Sequence, residues 1–395
     1  MSDIINKADK YFMKTGQRES VVLARGKGAY AWDENGKEYL DFVCGWAVNN
    51  LGHCPDVVVK AIQTQAETLI QTSNHYYTLP QTELAELLIT NSVLDEIFLC
   101  NSGAEANEGA AKLARRYGKM HLNGAYEIIS LSGSFHGRTI SMISASGQQK
   151  YQEPYTPLPT GYINVQFDSI EAVKAATNEK TCAVMLEPVQ GEGGVNVPSM
   201  QFLQDVRQWC DEKNILLILD EIQTGIGRCG SLFAYELFGI KPDILTLAKG
   251  LGAGMPIGAF LANSKASVFK FGEHGTTFGG NPVCCAAAVA SLKYMLKEKV
   301  CQNVCKMEEY LNKGLLKLKE KHPIINSVRG KGLLLGLVFN EEIADIVCRQ
   351  AAKNGLLMNN VQKAVIRLMP PLIITSKEAD LAIAILDKTL NELNY

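Results

Sequence analysis

The residues best suited to chemistry in this chain are an aspartate and a lysine, each closing a short apolar run and each trailed by glycines. The first run is Ile215-Leu-Leu-Ile-Leu-Asp220-Glu221-Ile222-Gln223-Thr-Gly-Ile-Gly-Arg228. The second is Pro242-Asp-Ile-Leu-Thr-Leu-Ala-Lys249-Gly-Leu-Gly-Ala-Gly254. Continuous apolar runs of this length read as strands buried on both faces, and in open α/β sheets ligands collect at the strands' carboxyl ends. Asp220 and Lys249 are therefore expected at one crevice. A lysine kept neutral by burial can act as nucleophile or base, and a carboxylate beside it supplies fixed charge. A third run, Thr181-Cys-Ala-Val-Met-Leu-Glu187-Pro-Val-Gln190-Gly-Glu192-Gly-Gly194, also ends in a carboxylate.

Other strands and helices must frame that crevice. Glu96-Ile-Phe-Leu-Cys100 reads as a strand leading into Asn101-Ser102-Gly103-Ala104-Glu105, where Ser102-x-x-Glu105 has the spacing of a capping box. A helix start gathers unpaired N–H groups and the positive dipole end, which suits a phosphate. The strand from Tyr126 runs into Gly133-Ser-Phe135-His136-Gly137-Arg138-Thr139. Phe135 offers a flat apolar face to a ring, and Arg138 offers a planar fork to a carboxylate. Helical spacing of apolar residues recurs between Pro55 and Leu88, from Met200 to Lys213, from Pro282 toward Lys299 and from Glu341 to Asn354. Strand alternating with helix predicts right-handed crossovers and a mostly parallel sheet. The alternation around Asp33-Glu-Asn-Gly36 predicts a hairpin. Strands near Ile325–Arg329, Leu333–Phe339 and Ala364–Pro371 predict a small α+β unit, and the Lys-rich stretch 311–321 a solvated helix face. By its spacing His53 reads as a structural histidine.

The Asp220–Arg228 and Leu247–Gly254 segments, with Glu187–Gly194, Ser102–Ala104 and Phe135–Thr139 in the same order, resemble the class III (ω-amino) aminotransferases that use pyridoxal 5'-phosphate (PLP). Within that family the resemblance is greatest to the acetylornithine aminotransferases, and it extends from about Gly26 to Pro371. It implies the PLP-dependent transferase fold (fold type I), an α/β architecture with a mostly parallel central sheet in a large domain and a small α+β domain. Its implied boundaries are an N-terminal arm over 1–47 that packs with the small domain, a large PLP-binding domain over 48–285 and a small C-terminal domain over 286–395. It also implies that Lys249 attaches covalently to the cofactor, that Asp220 faces the ring nitrogen, and that Gln223 donates to the phenolic oxygen. Ser102, Gly103 and Ala104 would hold the phosphate and Phe135 one ring face, with Glu221 and Ile222 alongside. Thr277 would reach the partner's phosphate across a homodimer interface, with Thr276 near substrate. Arg138 would take the donor's α-carboxylate. Glu187 and Arg367 would form a switch, closed for the donor and open for 2-oxoglutarate. The reaction implied moves the δ-amino group of N2-acetyl-L-ornithine to 2-oxoglutarate in arginine biosynthesis. Succinylornithine, ornithine and 4-aminobutyrate remain as alternative donors, and a PLP aminomutase as an alternative reaction. Trp46, Pro55 after Cys54, and Gly16 depart from the family's usual pattern.

Composition narrows the field further. The chain has 395 residues and a formal net charge of −2, so it can bury a sizeable core and shows no basic excess for nucleic acid. No apolar run approaches the roughly 18 residues of a membrane span, and the first residues have neither the apolar core of a secretory signal nor the Arg-rich bias of a transit peptide. These readings predict a cytoplasmic enzyme of small-molecule substrates. The eleven cysteines include no Cys-x-x-Cys pair and no zinc-like spacing with histidine, so free thiols and no metal are expected. A dinucleotide loop at Gly250-Leu-Gly252-Ala-Gly254 is disfavoured, because the full G-x-G-x-x-G spacing is missing and a lysine directly precedes it.

Overall fold

The computed structural model describes residues 3–16 and 18–395. Its first strands, β1 (Leu23–Lys27), β2 (Tyr30–Asp33) and β3 (Glu38–Asp41), form an antiparallel ribbon. Asp33 makes the turn between β2 and β3 by accepting from the backbone N–H of Asn35 and Lys37, both at 2.9 Å, and Gly36 supplies the positive φ of 83°.

Seven strands make the central sheet: β4 (Glu96–Cys100), β5 (Glu127–Leu131), β6 (Tyr162–Val165), β7 (Thr181–Leu186), β8 (Leu216–Asp220), β9 (Ile244–Leu247) and β10 (Gly258–Ala262), in the spatial order β4-β10-β9-β8-β7-β5-β6. Every residue of β7, β8, β9 and β10 is buried, which is why these strands read as unbroken apolar runs. The pairs from β9 to β6 are parallel, while β10 is antiparallel to both its neighbours. Two reversals cancel, so β4 runs the same way as β9. The carboxyl ends of β4, β5, β7, β8 and β9 therefore share one edge. Gly258 permits this crowding, since a Cβ there would lie 2.4 Å from the Ser102 carbonyl oxygen. The helix Gly103–His121 crosses the sheet on an apolar face, and Gly109 lets it approach Phe260, whose ring a Cβ would meet at 2.2 Å.

A third sheet holds β11 (Ile325–Lys331), β12 (Leu334–Phe339), β14 (Asn359–Gln362) and β15 (Val365–Leu368), all antiparallel; the short β13 (Leu356–Leu357) instead pairs in parallel with β3. The helices Val300–Lys321, Ala344–Lys353 and Ser376–Glu392 belong to this C-terminal part of the chain. In the first of them Leu311, Leu315 and Leu318 are buried beneath an exposed lysine face. Fully buried Arg228 knits these parts together, donating to the carbonyls of Leu333 and Pro370 and to Asn50 Oδ1 at 2.6–2.9 Å.

Between β3 and the helix Asp56–Thr68, four consecutive residues, Cys44, Gly45, Trp46 and Ala47, take positive φ of 54–65°. For the three that are not glycine this costs roughly 1–2 kcal/mol each. Asp41 holds the turn through the N–H groups of Val43 and Cys44 (2.8 and 3.0 Å) and is itself met by His53 Nε2 at 2.8 Å. His53 is thus structural, as its spacing predicts. Trp46 is left 61 % exposed, and Val48 faces the cavity described next.

Candidate active site

A cavity of about 450 Å³ opens at the shared edge of the central sheet, within the size range of small-molecule sites. Asp220, the last residue of β8, and Lys249, two residues beyond β9, both line it. Lys249 has φ 44°, a left-handed conformation that a lysine adopts only where surrounding structure imposes it. Its Nζ makes no hydrogen bond among the described residues. Burial pushes this amine below its ordinary 10.5, with Glu192 pulling the other way and Arg367 adding to the depression. A lysine in that condition has a larger neutral fraction, the form that attacks carbonyls and accepts protons.

Asp220 is locked from behind. Its Oδ2 accepts from Asn107 Nδ2 at 2.7 Å and lies 2.8 Å from His136 Nδ1, and Oδ1 accepts from the Ile222 N–H at 3.0 Å. Thr246 Oγ1 donates to Asn107 Oδ1 at 2.7 Å, and Asn107 also reaches the His136 carbonyl. The sequence reading missed His136, Asn107 and Thr246. Asn107 sits one turn into a helix and carries no motif of its own, whereas His136 was signalled by its place between Phe135 and Arg138.

Ser102, Gly103 and Ala104 line the cavity at the start of the helix Gly103–His121, with the Ser102 hydroxyl accepting from the Glu105 N–H at 3.2 Å. The capping box is only half formed, because the Glu105 carboxylate reaches back to the N–H of Asn101 instead. Phe135, Arg138, Ile222 and Gln223 also line the cavity.

Four predicted residues lie elsewhere. Glu221 follows Asp220 in an extended chain, so its side chain leaves on the opposite side. It is fully buried and accepts from the N–H groups of Ala234 and Tyr235 at 2.6 and 2.7 Å. Burial raises its carboxyl to about 8 against those two bonds. Thr276 and Thr277 stand off the cavity of their own chain. Thr276 Oγ1 caps the turn at Gly279, and Thr277 is exposed. Arg367 lies behind the cavity wall, fully buried.

The expected pair of Glu187 with Arg367 is not formed. Arg367 Nη1 instead meets Glu192 Oε1 at 2.6 Å and Gln223 Oε1 at 3.0 Å. Glu187 is held by the N–H groups of Phe135 (2.9 Å) and Gly191 (3.2 Å), which fix its carboxylate beside the backbone. Burial pushes Glu187 upward despite those bonds, while for Glu192 the arginine and Lys249 outweigh burial and hold it low. Glu192 follows the strand by a turn whose course spacing alone does not reveal.

The donor set fits PLP on the molecule's own terms. Helix N–H groups suit a phosphate, Asp220 a protonated ring nitrogen, and an unbonded lysine an aldehyde. His136 Nε2 is buried without a partner among the described residues, as are Arg367 Nε and Nη2. No group of three or more potential metal ligands occurs among the described residues.

The family model for class-III aminotransferases matches residues 12–390. The chain is a class-III aminotransferase. As such it is a PLP-dependent transaminase of fold type I. It is 47% identical to an acetylornithine aminotransferase of Caldanaerobacter subterraneus subsp. tengcongensis over 98% of both chains, and 48% identical to that of Methanocaldococcus jannaschii over 97% of both. The ornithine aminotransferase of Toxoplasma gondii, crystallised with oxidised glutathione and reported with partial occupancy of PLP at its active site, matches with a TM-score of 0.95 at 33% identity. That match covers 99% of this chain and 94% of the other. The fold of this class-III aminotransferase is thus shared with a solved relative over nearly the whole chain.

Proposed function

We propose that this transaminase moves the δ-amino group of N2-acetyl-L-ornithine to 2-oxoglutarate, giving N-acetyl-L-glutamate 5-semialdehyde and L-glutamate in arginine biosynthesis. The observation that carries the reading is a contrast between two arginines. Arg138 lines the cavity with no hydrogen bond to its guanidinium among the described residues, whereas Arg367 is neutralised by Glu192. A donor with one α-carboxylate needs one bare arginine; an acceptor with two carboxylates needs a second that can be uncovered. The acetylornithine aminotransferases among its relatives favour the acylated donor.

PLP, when bound, supplies an electron sink that acidifies the carbon bearing the transferred amine. Ser102, Gly103 and Ala104 would hold its phosphate, Phe135 would cover one ring face, and Asp220 would keep the ring nitrogen protonated. Ile222 packs on Gly103, where a Cβ would come within 2.8 Å of the isoleucine's Cδ1, and would flank the ring from there. Gln223 stands between the cavity and Arg367, able to donate to the phenolic oxygen. Lys249 Nζ would carry the covalent tether and, once the donor's amine has displaced it and left it a free amine, would move the proton at the donor's δ-carbon. Arg138 takes the donor's α-carboxylate bidentately. Glu192 shields Arg367 until 2-oxoglutarate enters and its second carboxylate replaces Glu192 on that arginine.

The active unit in this reading is a homodimer in the cytoplasm, with no part for nucleic acid or membrane. No helix among the described residues is long and apolar enough to cross a bilayer. Tyr76, Tyr77 and Leu79 in one segment and Phe271 and Phe278 in the segment that carries Thr277 are exposed, apolar side chains of the kind that association covers. Asn74 and Gln71 tie these two segments together by donating to the carbonyls of Thr276, Gly279 and Thr277 at 2.7–3.0 Å. Thr277 would then serve the partner's phosphate and Thr276 its substrate.

A donor panel tests the assignment. N2-acetylornithine, N2-succinylornithine, ornithine and 4-aminobutyrate are each supplied with 2-oxoglutarate, and glutamate is measured. Acetylornithine should give the highest kcat/KM, and 4-aminobutyrate, with no α-carboxylate for Arg138, the lowest. Equal turnover of all four would defeat the reading.

A further inference from the structure

Among the described residues, the bare guanidinium of Arg138 has no hydrogen-bonding partner to aim it. What it has is an aromatic wall. The Arg138 guanidinium carbon lies 4.0 Å from the centre of the Tyr151 ring and 5.4 Å from that of Phe135, and the two rings meet edge to face at 5.8 Å. Phe135 lines the cavity; Tyr151 does not. A planar cation over an aromatic face is attracted by the ring quadrupole and keeps its N–H edge free for other work.

The ring is well anchored. Tyr151 sits in the short helix Gln149–Gln152, and the glutamines flanking it are tied to the backbone on either side. Gln148 Nε2 donates to the carbonyls of Gly133 and Ser134, both at 3.2 Å, in the loop that leads to Phe135 and Arg138. Gln152 Nε2 donates to the Ser146 carbonyl at 2.7 Å and to Asn164 Oδ1 at 2.9 Å. Platform and arginine thus hang from one piece of backbone. The Tyr151 hydroxyl makes no hydrogen bond among the described residues, so the ring itself is what Arg138 meets. Lys150 Nζ lies 4.9 Å from the same ring, so the ring faces two cations.

We propose that Tyr151 is a positioning residue for the amino donor: its ring holds the Arg138 guanidinium so that the fork is preset for the donor's α-carboxylate. The inference rests on the reading of Arg138 given above. A flexible arginine would lose side-chain entropy on gripping a carboxylate, and a stacked one has lost it beforehand.

The test is calorimetric binding of Nα-acetyl-L-norvaline to the PLP-loaded enzyme. This molecule is the acylated donor without its reacting amine, so binding is read apart from turnover. Tyr151→Leu should weaken it about threefold to tenfold, as expected for loss of one cation–π contact, and Tyr151→Phe should restore it to within about twofold of wild type. With acetylornithine, KM should rise in Tyr151→Leu while kcat at saturation holds. Should Tyr151→Leu fail to melt cooperatively, the unbranched Tyr151→Met replaces it. Wild-type binding in the ring-deleted variant overturns the proposal, as does an equal loss in Tyr151→Phe. Arg138→Lys separates the two claims. If it leaves binding intact, the role of Arg138 has failed; if it weakens binding and Tyr151→Leu does not, only the role of Tyr151 has.

Discussion

Glu192 Oε1 stands 2.6 Å from Arg367 Nη1, and that contact neutralises an arginine with no exposed surface of its own. Arg367 lies in β15, paired through Gly336 to β12, so its backbone does not move easily. Glu192 lies in the turn after β7 and is partly exposed, so the carboxylate is the mobile member. Breaking a buried pair by removing one partner leaves an uncompensated charge, which is costly and attracts any available anion.

Glu192→Gln should therefore slow the donor half-reaction by about tenfold or more, since the bare Arg367 competes for the donor's carboxylate, while the 2-oxoglutarate half-reaction changes little. Cofactor absorbance in single-turnover mixing follows each half separately. Glu187→Gln, in contrast, should alter both halves together, because Glu187 answers to the Phe135 and Gly191 N–H groups and not to Arg367. Selective loss of the donor half in Glu187→Gln, with Glu192→Gln neutral, would exchange the two roles.

Removing Asn107 should loosen the cofactor without unfolding the domain. Asn107→Ala deletes a 2.7 Å bond to the Asp220 carboxylate, and a hydrogen bond to a charged group contributes roughly 1.5–3 kcal/mol. PLP titration of the apoprotein should show affinity lower by about tenfold or more. Unchanged affinity would mean that His136 and Ile222 suffice to hold Asp220.

Lys249 makes apoprotein stability depend on pH. Its folded pKa lies below the ordinary 10.5, so the unfolded chain binds more protons between the depressed value and 10.5, and stability rises with pH across that window. Below the window the whole penalty of burying the charged amine is present. Lys249→Met should thus melt higher than wild-type apoprotein at pH 7, and the gap should narrow as pH approaches 10. A lower melting temperature for Lys249→Met at pH 7 would show that the neighbouring carboxylates gain more from the ammonium than burial costs.

The exposed ring of Tyr77, with Phe271 and Leu79 near the Thr277 loop, predicts a dimer face. Tyr77→Glu should shift sedimentation from dimer toward monomer and lower activity in parallel, with activity recovering at high protein concentration. A fully active monomer would contradict the shared site.

Much of this site was legible in the chain because burial on both faces leaves a continuous apolar signature. The runs ending at Asp220, at Glu187 and just before Lys249 are β8, β7 and β9, and their shared edge follows from parallel pairing. The helices Met200–Lys213 and Pro282–Lys297 also fall where apolar spacing and start signals put them. What the chain hides is direction and partnership. Nothing local marks β10 as antiparallel, since Gly-Ala-Phe-Leu-Ala is equally apolar either way. Glu221 shares a motif with Asp220, yet strand alternation sends it to the other side. Arg367 could be placed, but which of two glutamates meets it depends on the path of a glycine-rich turn. The left-handed run Cys44–Ala47 was equally invisible, because only Gly45 in it favours that conformation.

Borohydride reduction of the PLP-loaded enzyme, followed by peptide mass analysis, tests the centre of this account most directly. A single reduced pyridoxyl adduct is expected, on the peptide containing Lys249, and none in Lys249→Ala, which should still fold. An adduct on a different lysine of the wild-type enzyme, or no adduct with PLP in excess, would contradict it.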